Sequence, residues 1–86
     1  MDFKNVTIVE NGSNFVIVKD NDNNEALYSY NSLIAVKDNK TGEVTLNERY
    51  YNYSSTTGKH RNAFLNEGIA ETRKKIKSGE YKVENL

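Results

Sequence analysis

Ala26-Leu27-Tyr28-Ser29-Tyr30-Asn31-Ser32-Leu33-Ile34-Ala35-Val36 is the stretch that decides the fold class. It is free of Pro and Gly and rich in aromatic and β-branched side chains, the composition of a half-buried strand. It reads as one long strand over about residues 26–37. Alternation puts Tyr28, Tyr30, Ile34 and Val36 on one side and Leu27, Ser29, Asn31, Leu33 and Ala35 on the other. The first set is the better core face. Ser32 interrupts it, so a bulge or bend is expected near Asn31-Ser32.

Working outward, Val6-Thr7-Ile8-Val9 and Phe15-Val16-Ile17-Val18 are two further strands, at about 5–10 and 14–19. Glu10-Asn11-Gly12-Ser13-Asn14 turns between them. Both are apolar on both faces, which predicts at least partial cover on each side. On the C-terminal side, Asp38-Asn39-Lys40-Thr41-Gly42 is a hairpin turn with Gly42 at the left-handed position. A strand over about 43–50 follows, with Val44 and Leu46 inward and Tyr50-Tyr51-Asn52-Tyr53 as an aromatic exit. The period then changes. Ser54-Ser55-Thr56-Thr57 offers N-caps for a helix at about 56–67, which Gly68 stops, with Ile69 placed to fold back onto Phe64. A second helix at about 70–78 ends at Gly79, and Tyr81-Lys82-Val83 is a short edge strand or a docked tail. The class is therefore α+β: a four-stranded antiparallel β-meander followed by two short helices packed on one face, in a single domain over 1–86.

Composition bounds the chemistry. At 36% hydrophobic residues the chain can bury one thin core, and 10% aromatics argue against disorder. With no Cys there is no disulfide, thiolate nucleophile or Cys-based zinc site. The first residues lack a signal-peptide pattern, and no apolar run approaches the roughly 20 residues that cross a bilayer. A cytoplasmic protein without membrane contact is expected. The net charge of zero hides an asymmetry: residues 1–48 carry eight acids and four bases, and residues 49–86 the reverse.

Candidate sites are then weighed on their chemistry. Asp20-Asn21-Asp22-Asn23-Asn24 begins like a calcium-binding loop, but the sixth and twelfth positions hold Glu25 and Asn31 instead of Gly and Glu. No metal or cofactor is expected. His60, the only histidine, invites a hydrolase or nuclease reading with Ser54, Ser55 or Tyr53 and with Glu67 farther along the helix. No Gly-rich nucleophile turn accompanies it, so the expected role is packing beside Phe64 with a hydrogen bond to a strand carbonyl, and no enzyme is expected. The run Ser54 to Thr57 resembles a phosphate cradle but lacks the glycines and Lys-Ser/Thr pair of a P-loop, leaving capping as its role. Lys59, Arg61, Arg73, Lys74, Lys75 and Lys77 form a basic set that nucleic-acid phosphates would match, with tyrosines to stack on bases. Six Tyr exceed what so small a core holds, so some belong at a surface, where Tyr suits protein contacts.

One resemblance adds context. Leu27 to Ala35, Leu46-Asn47, Tyr51-Asn52-Tyr53-Ser54-Ser55-Thr56-Thr57, His60 and Phe64-Leu65 resemble a family of small uncharacterised bacteriophage and prophage proteins. The shared motif is Tyr-Ser-x-Thr-Thr-x-x-His-x-x-x-Phe-Leu, over roughly residues 27–82. The resemblance implies a viral accessory protein in the cytoplasm of an infected bacterium, where such proteins block host machinery, CRISPR effectors included. The expected function is thus a non-enzymatic inhibitor that binds a bacterial host protein or defence complex. Asp20, Asp22, Glu25, Tyr50, Tyr51 and Tyr53 are its candidate contacts. Nucleic-acid binding through the basic helices is the alternative, and a homodimer would cover a free edge or face.

Overall fold

The computed structural model describes residues 6–86. The elements in chain order are β1 (Thr7–Asn11), β2 (Phe15–Lys19), β3 (Asn24–Ser29), β4 (Ser32–Asp38), β5 (Val44–Asn47), α1 (Ser55–Leu65), α2 (Ile69–Ser78) and β6 (Tyr81–Glu84). All strands lie in one sheet in sequence order. The first five form an antiparallel meander, and β6 returns parallel to β5 through the two helices. A parallel neighbour needs a long crossover, and the helical pair supplies it.

The α+β architecture is the expected one, but the meander has five strands, not four. The stretch expected as one strand over 26–37 folds back on itself at Tyr30-Asn31, where both residues have positive φ (51° and 66°). That is the signature of a two-residue hairpin loop, whose twist matches its flanking strands. Ser29 pairs with Ser32 across it. The expected irregularity is a full reversal, and a separate bulge falls where Leu27↔Ala35 steps to Tyr28↔Leu33, leaving Ile34 as the extra residue. The fourth expected strand, at 43–50, is shorter too, ending at Asn47 before a run of turns.

Register explains the core. Ile17↔Leu27, Leu27↔Ala35, Ala35↔Leu46 and Leu46↔Val83 set one row of apolar residues across five strands. Ile17, Leu27, Ala35 and Leu46 are buried in that row, and Phe64, Leu65 and Ile76 of the helices pack onto the same cluster. Fully burying each leucine stabilises by about 1.5–3 kcal/mol. Both helices therefore sit on one face. Val18, Ala26 and Val36 form a second cluster on the other face, flanked by Val16, Tyr28 and Leu33. The expected core face is borne out in part: Ile34 and Val36 are buried, but so are Leu27 and Ala35 of the opposite set, whereas Tyr30 is 52% exposed because it sits in the loop. Cover over the first hairpin is one-sided along the sheet as well. Every residue of β1 is exposed, while β2 is half-buried to buried except at Lys19.

Helix ends follow local chemistry. Ser54 caps α1, its hydroxyl accepting the Thr57 amide. The C-cap is Asn66 at φ 56°, not the expected Gly68, which instead precedes α2 as its N-cap. Gly79 ends α2 in the left-handed conformation that glycine adopts freely.

Candidate functional site: a tyrosine-rimmed cleft

The meander's topology sorts the loops into two ends. The β1–β2 and β3–β4 turns share one end with the segment leaving β5, and the Tyr30 amide donates to the Asn14 carbonyl there (2.9 Å). The β2–β3 and β4–β5 turns share the other, where the Asn39 amide donates to the Asn23 carbonyl (3.2 Å). The tyrosines and the acids expected as one contact set thus occupy opposite ends of the sheet.

At the first end, Ser29, Tyr30, Ser32, Ile34, Tyr50, Tyr53 and Thr57 line a cleft of about 250 Å³. Tyr30 and Tyr53 are 52% and 70% exposed, and Tyr50 meets Tyr53 edge-to-face at 5.8 Å between ring centroids. Tyr51 is half-buried and packs against the main core instead. The floor is a chain of hydroxyls. Ser54 Oγ donates to Thr57 Oγ1 (3.2 Å), Thr57 Oγ1 lies 3.1 Å from Ser29 Oγ, and Ser29 Oγ lies 2.9 Å from His60 Nδ1. Ser29 and Thr57 are each 1% exposed. His60 therefore bonds a strand hydroxyl, not the expected carbonyl, and its ring rests against Phe15 at 4.7 Å. Gly12 leaves space for that Phe15 ring, which a Cβ there would overlap.

Glu67, imagined as a partner of His60, is engaged elsewhere. Its Oε1 accepts from Lys75 Nζ (2.7 Å) and Tyr81 Oη (2.8 Å), and its Oε2 from Thr72 Oγ1 (2.6 Å). Burial pushes the Glu67 carboxyl up, but these three donors outweigh it and hold the group below the usual carboxylate range. Burial and the Glu67 hydrogen bond both push the Tyr81 phenol up.

At the far end, the Asp20 carboxylate is turned into its own loop. Oδ1 accepts from the Asn24 and Asp22 amides and Oδ2 from Asn24 Nδ2, and the Asn24 amide leads in keeping Asp20 below its ordinary range. Glu25 accepts from Asn39 Nδ2 and stands in register between Lys19 and Lys37. Lys82 pairs with Glu43 (2.5 Å). Acids at this end alternate with lysines.

The basic set divides likewise. Lys59, Arg73, Lys74 and Lys77 face solvent. Lys75 is paired with Glu67. Arg61 is 2% exposed and so cannot reach a phosphate. Its Nη1 donates to the Tyr51 carbonyl (2.9 Å) and Asn52 Oδ1 (3.0 Å), and its Nη2 to Asn62 Oδ1 (2.8 Å). Ser29, Tyr30, Ser32 and Ile34 are the cleft residues that the sequence reading did not nominate for a site, and Thr57 entered it only within the capping run. Tyr30 had a signal in its neighbour Asn31, which tolerates positive φ and marks a turn.

Fold and site together define a small α+β domain with helices on one sheet face and a tyrosine-rimmed, hydroxyl-floored cleft at one end. The chain belongs to DUF8033, a family of unknown function, whose sequence model matches residues 3–82. No curated protein and no solved structure matches it. Among the described residues, no helix is long and apolar enough to cross a membrane.

Proposed function

We propose that this chain is a non-enzymatic protein-binding domain that docks through the Tyr30–Tyr50–Tyr53 rim. Following the resemblance to phage and prophage proteins, its target is a component of a bacterial host, a defence complex such as a CRISPR effector being the most concrete case. One observation carries the reading: two tyrosines stand half or more exposed over a cleft of about 250 Å³. Pockets for whole small molecules usually measure about 300–1,000 Å³, so this one suits a single anchoring side chain of a partner. Exposed Tyr supplies large rigid contact area at low entropic cost. The hydroxyl and imidazole groups beneath support the non-enzymatic side of the reading, since Ser29 is buried and its oxygen is already shared between Thr57 and His60.

The test is capture of host proteins by tagged chain, compared with Tyr53→Ala and with a triple Asp20→Lys, Asp22→Lys, Glu25→Lys variant. Docking at the rim predicts that one defined partner is lost with Tyr53→Ala and kept by the triple variant. The opposite pattern would move the site to the acidic end, and a wild-type chain that retains no host protein would count against the whole reading.

A second reading rests on α2, where Arg73, Lys74 and Lys77 are exposed and pair with no acid among the described residues. Nucleic-acid phosphates would fit them, and binding would weaken steeply with salt. Reversing these three to Glu would abolish such binding, and no retention of DNA or RNA at low salt removes this alternative.

A further inference from the structure

Arg61 is a buried cation without an anion. Its side chain is among the largest fully buried in the described chain, and the ion pairs there involve only Lys75 and Lys82 on the basic side. Its Nε has no hydrogen-bond partner. Burial pushes the guanidinium down from its ordinary value. Such an arrangement is a poor source of stability, because an apolar side chain of similar volume in the same place is often neutral or stabilising. What Arg61 does make is specific. Three of its four remaining hydrogen-bond directions end on neutral oxygens, and two of those oxygens belong to consecutive residues, Tyr51 and Asn52. Those residues lie between Tyr50 and Tyr53, the two aromatic walls that meet edge-to-face over the cleft. The Tyr50 and Tyr51 rings pack against the main core, but the segment's backbone hydrogen bonds are short-range turns: the Tyr50 and Tyr51 amides donate to the Asn47 carbonyl, and the Tyr53 amide to the Tyr50 carbonyl. Gly58 stands under the guanidinium, one helical turn before Arg61, with the space a Cβ would take 3.5 Å from Nη2.

We propose that Arg61 is the positioning residue of the tyrosine rim, a fork that reaches out of α1 and fixes the Tyr50–Tyr53 segment in its docking geometry. The proposal rests on the rim reading given above and deepens it. A planar guanidinium holds a backbone carbonyl and a side-chain amide oxygen in fixed directions from Nη1 while Nη2 is anchored on Asn62, a fork that an ammonium lacks and an apolar side chain has no donor to replace. Preorganising the segment removes part of the ordering entropy that docking would otherwise oppose.

The experiment needs no partner. Full-length Arg61→Met, Arg61→Lys and Asn52→Ala variants are compared with wild type by thermal unfolding, by amide exchange at Tyr50, Tyr51 and Tyr53, and by the ring proton shifts of Tyr50 and Tyr53. A positioning role predicts that Arg61→Met unfolds at or near the wild-type temperature, yet its Tyr51 and Tyr53 amides exchange about tenfold faster or more and the two rings lose their mutual shift. Arg61→Lys should restore only part of the protection. Asn52→Ala removes one acceptor at an exposed position and keeps the test open if Arg61→Met does not fold; it should speed Tyr51 and Tyr53 exchange by a smaller factor. Wild-type exchange and ring shifts in a folded Arg61→Met, or in Asn52→Ala when that is the variant that folds, would overturn the proposal. Failure of the rim itself would be seen separately, as undiminished partner capture by Tyr53→Ala in a chain whose Arg61 still orders the segment.

Discussion

Ser29 Oγ on β3 lies 2.9 Å from His60 Nδ1 on α1, and this contact ties the sheet to the first helix. The proton order along it follows from counting donors. One order uses every hydroxyl hydrogen within the chain: Ser54 gives its own to Thr57, Thr57 gives its own to Ser29, and Ser29 in turn to His60. Each hydroxyl has one hydrogen and each is used. The chain closes only if His60 Nδ1 is bare and its proton sits on Nε2. Reversing the last bond would leave the buried Ser29 hydrogen without this partner.

The first prediction tests that order. Nitrogen shifts and long-range couplings of the single histidine at neutral pH should show Nδ1 as an unprotonated acceptor and Nε2 as the protonated nitrogen. Ser29→Ala breaks the chain at its centre and strands two polar groups in the interior. It should lower unfolding free energy by about 1–3 kcal/mol in denaturant titrations. A neutral Ser29→Ala, or a histidine protonated at Nδ1, contradicts the ordering.

The second concerns pH. Glu67 is held below its ordinary range, so folding favours its charged form. Its contribution is complete above the unfolded carboxylate value of about 4.3 and is lost as pH falls through the lower, folded value. Tyr81 is raised, so its contribution is complete below the unfolded phenol value of about 10 and is lost as pH climbs above that. Stability should therefore hold level through the neutral range and fall at both extremes. Glu67→Gln should flatten the acid limb and lower stability at neutral pH by about 1–3 kcal/mol, since three donors lose a charged acceptor. Thermal melts from acid to alkaline pH check both limbs.

The alternation in residues 6 to 46 carried the fold class, and the Ser and Gly signals placed the helices to within two residues. What stayed hidden had physical reasons. A Tyr in a left-handed loop runs against side-chain preference, so periodicity kept Tyr30 inside a strand and assigned the faces from that register. The reversal shifts the alternation by one residue and the bulge at Ile34 shifts it back, so Leu27 and Ala35 still share a face, Ile34 joins them in the main core, and Leu33 crosses to the other face. The burial of Arg61 rests on the neutral oxygens of Tyr51, Asn52 and Asn62, residues near it in sequence but joined to it only by the helix and the turn. A cation with no acid in sight reads, in one dimension, as a surface residue.

Gly58 gives a third prediction. It lies within α1, where glycine is less favourable than alanine by about 0.5–1 kcal/mol. An added methyl would meet the Arg61 guanidinium at 3.5 Å, an ordinary contact that displaces nothing. Gly58→Ala should therefore raise stability by up to about 1 kcal/mol in denaturant unfolding, with the Arg61 hydrogen bonds kept. A loss of stability would mean that the guanidinium needs the open space.

Tyr30 provides the sharpest separation of folding from binding. Its φ of 51° places a bulky side chain in the left-handed region, where a non-glycine residue is disfavoured by about 1–2 kcal/mol and Asn is among the few that settle readily. The ring gains little in return from the core, being 52% exposed. Tyr30→Asn suits a two-residue hairpin loop better and keeps the amide that donates to the Asn14 carbonyl. The variant should unfold at a temperature equal to or above wild type, since relief of about 1 kcal/mol in a domain this size shifts the midpoint upward by roughly 4–8 °C. It should also lose one wall of the cleft and with it the captured partner. A more stable protein that no longer binds would mean that the strained tyrosine is retained for contact. A Tyr30→Asn variant that melts lower and binds as before would mean that the ring serves the fold.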